Sequence, residues 1–175
     1  MVDYSCLAQG RSIHLYDCQG ITYKRNTLEV TGAATGLKIA AFNIKKPTRI
    51  EFNYHKRMGL LHAPNDGSSI QYAPDNNPKN SINAYNWFIN NKRYSLRFDG
   101  DPGGNGGNVF RNVSWTPESQ AYRIKGDFHE VYNNTAYSPS GYLDIARGKG
   151  GNKSTVSRNN VADKITADLI PGIHS

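Results

Sequence analysis

The chain has 175 residues, of which 37% are hydrophobic, and carries a formal charge of +7 at pH 7. This length supports one domain with a substantial core and is too short for two domains of ordinary size. The apolar runs are short, so no segment is expected to span a membrane. The positive charge would attract nucleic acid, an anionic lipid surface or an acidic polysaccharide, and charge alone does not discriminate between these partners.

The N-terminal segment, MVDYSCLAQGRSIHLYDC, contains both cysteines of the chain. Cys6 and Cys18 could form one disulfide or stay as thiols, and two cysteines alone cannot build a zinc site. The segment lacks the charged and apolar regions of a secretory signal. We therefore expect either an intracellular protein or one whose leader is absent from this chain.

A short phrase around asparagine recurs along the rest of the chain, in which 17 glycines and 11 tyrosines favour a turn-rich all-β fold. The asparagines recur at irregular spacings of about 20 to 35 residues, and such a period is typical of one solenoid turn per repeat. The phrases are TYKRNTL, IEFNYH, NAYNWF, VFRNVSW, VYNNTAY and VSRNNVA, at Asn26, Asn53, Asn86, Asn112, Asn134 and Asn159.

A second phrase follows each of the first five asparagines, so each turn is predicted to contain two short strands. Its central polar residue comes at a near-constant offset from the asparagine, except after Asn53, where an inserted loop delays it. Apolar residues flank that position and are predicted to face the core: Leu37/Ile39, Ile70/Tyr72, Leu96/Phe98, Tyr122/Ile124 and Leu143/Ile145. Strands stacked at about 4.8 Å would align the polar residues in an outer row, namely Lys38, Gln71, Arg97, Arg123 and Asp144.

Stacked asparagine amides can bond to the turns above and below, so the repeat predicts that every turn uses the same corner. We expect an all-β parallel β-helix of about six to seven coils, with residues 1–175 forming a single domain. A Greek-key sandwich with recurring asparagine turns is the alternative. The exposed ends of a solenoid need a cover, and the candidates are the N-terminal segment that ends at Cys18 and the final ITADLIPGIHS.

Three stretches, IEFNYHKRMGLLHAPNDGSSIQ, YSLRFDGDPGGNGGNVFRNVSW and IKGDFHEVYNNTAY, resemble right-handed parallel β-helix proteins of the carbohydrate-active type. The resemblance covers about residues 20–165 and implies a right-handed winding and a role in processing polysaccharides. These proteins include polysaccharide lyases, glycoside hydrolases, epimerases and noncatalytic segments. The enzymes usually have more coils, so we expect either a fragment of a longer β-helix or a reduced relative. The implied location is extracellular or periplasmic.

The longest insertions border the second strand of each turn, and loops along one side of a rod form a groove that suits an extended polymer. The substrate-binding candidates are Gln71, Arg97, Arg123 and Arg147. Neighbouring guanidinium groups repel unless a negative group lies over them. A carboxylate or sulfate of a sugar would serve, as would Asp99 or Asp144. The alternative is a solvated ladder of charged pairs that binds no ligand.

Cleavage of an acidic glycan by β-elimination would use the two arginines to neutralise a uronate and Lys125 as the base. Hydrolysis would instead need two carboxyl groups about 5 to 9.5 Å apart. Asp66 and Asp99 are the candidates, with Asp101 in reserve, and His62 could act as acid or base in either reaction. Aspartate beside glycine is also an ordinary turn former, and a histidine in a loop is more often solvated.

Other partners have weaker support. Asp66 and Asp99 could hold Ca²⁺, although there is no dense calcium motif, and no other cofactor is expected. No helix-turn-helix, RNA-recognition or zinc pattern is present, so nucleic acid is not the expected partner. Trp87 and Trp115 belong to the core or to a sugar-stacking surface, and the core is favoured. A noncatalytic β-helix that binds glycan or joins a larger assembly is the second functional hypothesis, and the oligomeric state is open.

Overall fold

The structure is a computed structural model that describes residues 10–40, 45–60, 67–74, 76–99, 104–115, 117–139, 141–146 and 152–167. Within these ranges every regular element is a β-strand, and all strand pairs are parallel. The expected all-β parallel solenoid is therefore confirmed, and the Greek-key alternative is wrong because its strands would be antiparallel. The handedness and the number of coils stay predictions.

The strands are short and follow one another in sets of three. In chain order they are β1 (Arg11–Tyr16), β2 (Thr22–Lys24), β3 (Thr27–Glu29), β4 (Thr35–Ala40), β5 (Arg49–Glu51), β6 (Tyr54–Lys56), β7 (Ser68–Tyr72), β8 (Ile82–Ala84), β9 (Trp87–Ile89), β10 (Tyr94–Phe98), β11 (Asn108–Phe110), β12 (Val113–Trp115), β13 (Tyr122–Lys125), β14 (Glu130–Tyr132), β15 (Thr135–Tyr137), β16 (Tyr142–Ala146), β17 (Val156–Arg158), β18 (Val161–Ala162) and β19 (Lys164–Ala167).

Three sheets result, because each takes every third strand. Sheet A has seven strands in the order β1-β4-β7-β10-β13-β16-β19. Sheet B has six, β2-β5-β8-β11-β14-β17, and sheet C has six, β3-β6-β9-β12-β15-β18. The predicted two strands per turn are wrong, since each asparagine phrase is itself two strands, one in sheet B and one in sheet C.

A sharp corner separates those two strands and explains why the phrase recurs. The residue before each asparagine has a left-handed backbone, with φ of 58° at Tyr85 and 55° at Arg111. This conformation is uncommon for residues other than glycine and is held here by the surrounding structure. The same position is occupied along the solenoid by Arg25, Phe52, Tyr85, Arg111, Asn133 and Asn159.

The asparagines stack on one another through their side-chain amides. Oδ1 of Asn86 accepts from the backbone N–H of Asn53 at 3.0 Å and from its Nδ2 at 2.9 Å. Nδ2 of Asn86 donates to Asn112 Oδ1 at 3.0 Å and to the carbonyl of Ile50 at 2.9 Å. The stacking predicted from the repeat is thus confirmed. We call this the asparagine row: Asn26, Asn53, Asn86, Asn112, Asn134 and Asn160.

The last member of the row differs from the prediction by one position. Asn160, rather than Asn159, accepts from Asn134 Nδ2 at 3.0 Å. Asn159 holds the left-handed corner, with φ of 53°. Either asparagine of the pair fits the repeat by spacing, and the corner geometry selects the second.

The inward side chains of sheet A form the core, as the alternating pattern predicts. Ile145 alone of the predicted set is half-buried, because the next strand of the sheet, β19, is largely exposed. Full burial of one such side chain stabilises the fold by about 1.5–3 kcal/mol. The other predicted core residues are at most 1% exposed: Leu37, Ile39, Ile70, Tyr72, Leu96, Phe98, Tyr122, Ile124 and Leu143.

Two histidines are also buried in the interior. Nδ1 of His55 lies 2.7 Å from Ser69 Oγ, while its Nε2 has no hydrogen-bond partner in the described structure. His129 accepts at Nδ1 from the N–H of Gly107 at 3.0 Å, and its Nε2 lies 2.9 Å from the carbonyl of Lys125. Burial lowers the pKa of each imidazole to about 4. Both rings are therefore neutral inside the folded protein at neutral pH.

The favoured core placement of the two tryptophans is wrong. Trp87 is 52% exposed and Trp115 is 45% exposed, on the outer face of sheet C. The buried positions of their strands are the middle ones, Phe88 and Ser114. A three-residue strand turns its first and last side chains outward, and both tryptophans occupy such ends.

The described parts of the segments expected to cover the solenoid ends contribute strands β1 and β19 to sheet A, while residues 1–9 and 168–175 fall outside the described residues, so the covering role stays a prediction. The thiol of Cys18 lies 3.1 Å from the carbonyl oxygen of Tyr16. Cys6 falls outside the described residues, so the disulfide stays a prediction. No helix long and apolar enough to cross a membrane occurs among the described residues.

Candidate functional site

The polar residues of the second phrase form a continuous row on the outer face of sheet A. Strand register pairs Lys38 with Gln71, Gln71 with Arg97, Arg97 with Arg123, and Arg123 with Asp144. Adjacent members are thus one strand apart, about 4.8 Å. The predicted alignment is confirmed, and we call these five residues the outer row.

Two residues that the sequence did not indicate extend the outer row. His14 pairs with Lys38 at one end, and Thr166 pairs with Asp144 at the other. Burial, together with the positive charges of Arg11 and Lys38, lowers the pKa of His14. The irregular β1 and β19 phrases match the repeat too weakly to reveal them.

Asp99 is the centre of a charged cluster beside the outer row. Gln71 Nε2 donates to its Oδ2 at 2.6 Å, and Arg97 Nε donates to its Oδ1. Lys125 Nζ lies 3.8 Å from the same Oδ1. Three of the predicted site residues therefore meet at one carboxylate that is only 5% exposed. In this arrangement Asp99 balances two cations rather than standing free as an acid or base.

Tyr94 joins this face because of a β-bulge. The backbone N–H groups of Ser95 and Leu96 both donate to the carbonyl of Ala121, at 2.9 and 3.1 Å. Two residues therefore oppose one, and the alternation of side chains is interrupted. Simple alternation would place Tyr94 inward with Leu96, whereas its hydroxyl accepts from Arg123 Nη1 at 2.9 Å.

The ring of Tyr94 lies close to both arginines of the outer row and to Arg93, whose guanidinium carbon is 4.8 Å from the ring centroid. The guanidinium carbons of Arg97 and Arg123 are 5.3 and 5.7 Å from its centroid. Cations within about 6 Å of an aromatic ring are attracted by its quadrupole, so Tyr94 offsets part of their mutual repulsion. The arrangement holds two guanidinium groups side by side with limited freedom.

Arg123 is less completely paired than Arg97. Its Nη1 also lies 3.5 Å from Gln120 Oε1. Its Nε is buried without a hydrogen-bond acceptor in the described structure, and Asp144 Oδ2 lies 3.7 Å away. Asp144 in turn accepts from Thr166 Oγ1 at 2.9 Å. Asp99 and Asp144 therefore neutralise part of the positive charge of Arg97 and Arg123. The sequence alone left open whether these carboxylates or a ligand would do so.

The cluster as a whole keeps a surplus of positive charge. Among the described residues, the outer row with Asp99 and Lys125 brings four cations (Lys38, Arg97, Arg123 and Lys125) to two carboxylates (Asp99 and Asp144), which leaves +2, and Arg93 at the Tyr94 ring adds one more positive charge. Crowded like charges on a partly buried face are costly unless an anion lies over them. The face can therefore hold a carboxylate, sulfate or phosphate group.

His62, Asp66 and Arg147 fall outside the described residues, as do Asp101 and the middle of three of the loops expected to wall a groove, at 61–66, 100–103 and 147–151. Their predicted roles stay predictions. Among the residues that the structure describes, no three His, Cys, Asp or Glu side chains are grouped to hold a metal ion. The calcium hypothesis depends on Asp66 and also stays a prediction.

Comparison of the chain with protein-family models, with curated proteins and with solved structures yields no match. The functional argument therefore depends on the geometry and charge of the outer row.

Proposed function

We propose that this protein binds an acidic polysaccharide along the outer face of sheet A, as a right-handed carbohydrate-active β-helix acting outside the cell or in the periplasm. The observation that carries the proposal is the placement of Arg97 and Arg123. They lie in register on adjacent strands, both within 6 Å of one tyrosine ring, in a cluster whose described side chains carry a surplus of positive charge.

The chemistry of guanidinium groups suits this ligand. Each presents a planar fork of N–H donors that can bind a carboxylate or sulfate through two hydrogen bonds. An acidic polysaccharide carries such groups at regular intervals along an extended chain. A straight row of donors on a rigid sheet meets that chain with little loss of conformational freedom on the protein side.

Cleavage of the bound glycan is the second candidate, favoured by the position of Lys125. It lies on the strand of Arg123, two positions further along, and contacts Asp99. In a β-elimination, its neutral amine would take the proton from the carbon beside the uronate carboxylate. The C–H electrons would form the new C=C bond as the C–O bond breaks, and His62 is the candidate to protonate the leaving oxygen. The ion pair with Asp99 has to open before Lys125 can act as a base.

Binding is tested by titrating polygalacturonate, alginate, chondroitin sulfate and neutral dextran into the protein. We expect saturable binding of at least one anionic polymer, weakened by salt, and none of dextran. The Arg97→Ala/Arg123→Ala variant should weaken binding at least tenfold, about 1.4 kcal/mol or more. The matched control, Arg25→Ala/Arg158→Ala, removes the same charge from exposed positions on the sheet B side of the solenoid and should lose much less.

Equal losses in the two double variants would show that binding follows net charge alone and would contradict the proposal. Tighter binding of single-stranded DNA than of every glycan would also contradict it. Absorbance of unsaturated ends reports elimination, and reducing ends without that absorbance report hydrolysis. Loss of either product in Lys125→Ala with binding retained would support cleavage. A wild-type protein that binds the glycan but releases neither product would have the binding function only.

A further inference from the structure

The outer face of sheet C is a strip of exposed aromatic and aliphatic side chains. Trp87 is 52% exposed, Trp115 45% and Tyr137 58%. Register places Trp87 between Tyr54 and Val113, and Trp115 next to Tyr137. We call this surface, formed by Tyr54, Trp87, Val113, Trp115 and Tyr137, the aromatic strip.

Sheet B also has aromatic residues on its outer side, but their rings are used differently. Phe52 and Tyr85 stack at 4.6 Å with an interplanar angle of 2°, and Phe110 and Tyr132 stack at 4.9 Å and 3°. Each stack covers one face of each ring, and cations lie over three of the four rings: Lys24 over Phe52 at 4.9 Å, Arg111 over Tyr85 at 5.6 Å and Arg158 over Tyr132 at 5.1 Å. These rings bind successive turns together and leave little face for a ligand.

The aromatic strip leaves ring faces open. Trp115 and Tyr137 stack on each other at 4.3 Å, which occupies one face of each. Trp87 has no ring partner among the described residues, and half of its surface is exposed. At one end of the strip, an open hollow is lined by Tyr137, Val161 and Asp163.

The five residues of the strip are uncharged. Among the described strands β3 to β15 of sheet C, the charged residues on the outer face are Glu29 and Lys56, which form an ion pair at 2.9 Å, and Arg57 beyond β6 lies 3.5 Å from the same Glu29 carboxylate. Single-stranded nucleic acid needs cations beside its stacking platforms to follow the phosphates. An uncharged ligand therefore fits this surface better than a polyanion.

The shape of the strip also restricts the occupant. Strands of two or three residues, six abreast, cover a surface about 10 Å wide and about 24 Å long, or about 240 Å². A stable protein interface buries about 800 Å² on each partner. A second copy of this chain or another protein would find too little area, whereas a single extended polymer has the required width.

We propose that the aromatic strip is a second glycan-binding surface, which takes an uncharged stretch of polysaccharide lying along the solenoid. One face of a pyranose ring presents C–H groups with partial positive charge, and these pack on the electron-rich face of tryptophan or tyrosine. The hydroxyl groups of the sugar stay in water. This site does not depend on the acidic-glycan proposal, because it lies on a different sheet and uses no charge.

The two tryptophans make the test direct, since the chain has only two and both belong to the strip. We would titrate cellohexaose, xylohexaose and laminarihexaose separately and follow tryptophan emission. At least one should give a saturable change in emission, at an affinity little affected by 0.5 M NaCl. Isothermal calorimetry should show that Trp87→Ala weakens that binding at least tenfold.

Two control variants separate this site from the others. Phe52→Ala, an exposed aromatic position on the sheet B side, should retain the neutral hexasaccharide, and Arg97→Ala/Arg123→Ala should retain it as well. The proposal is overturned if none of the three hexasaccharides binds, or if Trp87→Ala and Phe52→Ala lose affinity equally. A concentration-dependent dimer in sedimentation that Trp87→Ala abolishes would instead assign the strip to self-association and overturn it.

Discussion

The asparagine row and the outer row are both polar ladders that stack in register, yet they differ in completeness. Each interior asparagine amide accepts from one neighbour and donates to the next, so Asn86 makes four side-chain hydrogen bonds within the protein. The outer row, together with its neighbours Asp99 and Lys125, brings four cations to two carboxylates and keeps a positive surplus among the described residues. A neutral row that satisfies its own donors and acceptors needs no ligand. A row with surplus charge offers binding energy to an anion.

The largest expected effect comes from breaking the asparagine row in its middle. Asn86→Ala removes four hydrogen bonds and leaves buried partners unsatisfied, which should lower the free energy of unfolding by about 3–5 kcal/mol. Asn77→Ala is the control, because Asn77 is exposed and, among the described residues, its side chain accepts a single hydrogen bond, from the N–H of Lys79 at 3.2 Å. Urea denaturation measures both. Similar losses in the two variants would show that the row does not hold the corners together.

Acid should destabilise the interior next, through the two buried histidines. Their pKa of about 4 in the folded protein is below the value of about 6.5 expected on unfolding, so the unfolded state binds more protons between these values. The free energy of unfolding therefore stays at its maximum, as far as these histidines affect it, above about pH 6.5 and decreases as the pH drops toward 4. From pH 6 to 5 the loss should be about 2–3 kcal/mol for the pair.

The variant His55→Leu sharpens this test. It removes one titrating group, so the dependence of the unfolding free energy on pH should fall by about half. Denaturant titrations at pH 7, 6 and 5 measure that slope. A pH-independent stability, or an unchanged slope in His55→Leu, would contradict the assignment of acid sensitivity to these histidines.

A smaller effect is expected when the charged cluster beside the outer row loses its central carboxylate, Asp99. Asp99→Asn keeps the shape but weakens the contacts with Arg97 and Lys125, which should cost about 1.5 kcal/mol of stability. The surplus charge rises by one, so binding of the acidic glycan should become steeper in its dependence on salt. Calorimetry at several salt concentrations checks this. Abolished binding in a folded Asp99→Asn protein would instead give the carboxylate a direct role with the ligand.

The sequence predicted the outer row because two signals agreed, a near-constant offset from the asparagine and an alternating strand pattern. It missed Tyr94, since the bulge depends on two N–H groups sharing the carbonyl of Ala121 and leaves no pattern within the strand. It also misplaced Trp87 and Trp115. The left-handed corner before each asparagine divides one apparent strand into two, and this decides which side chains face outward.

The most direct test of the surplus-charge account is a crystal structure of the protein with an oligogalacturonate hexamer. The account predicts a chain along the outer face of sheet A, with one carboxylate within hydrogen-bonding distance of the guanidinium groups of Arg97 and Arg123. A hexamer bound only elsewhere, for example on the sheet C face, would contradict it. So would a bare outer row in crystals of a complex that calorimetry shows to be saturated.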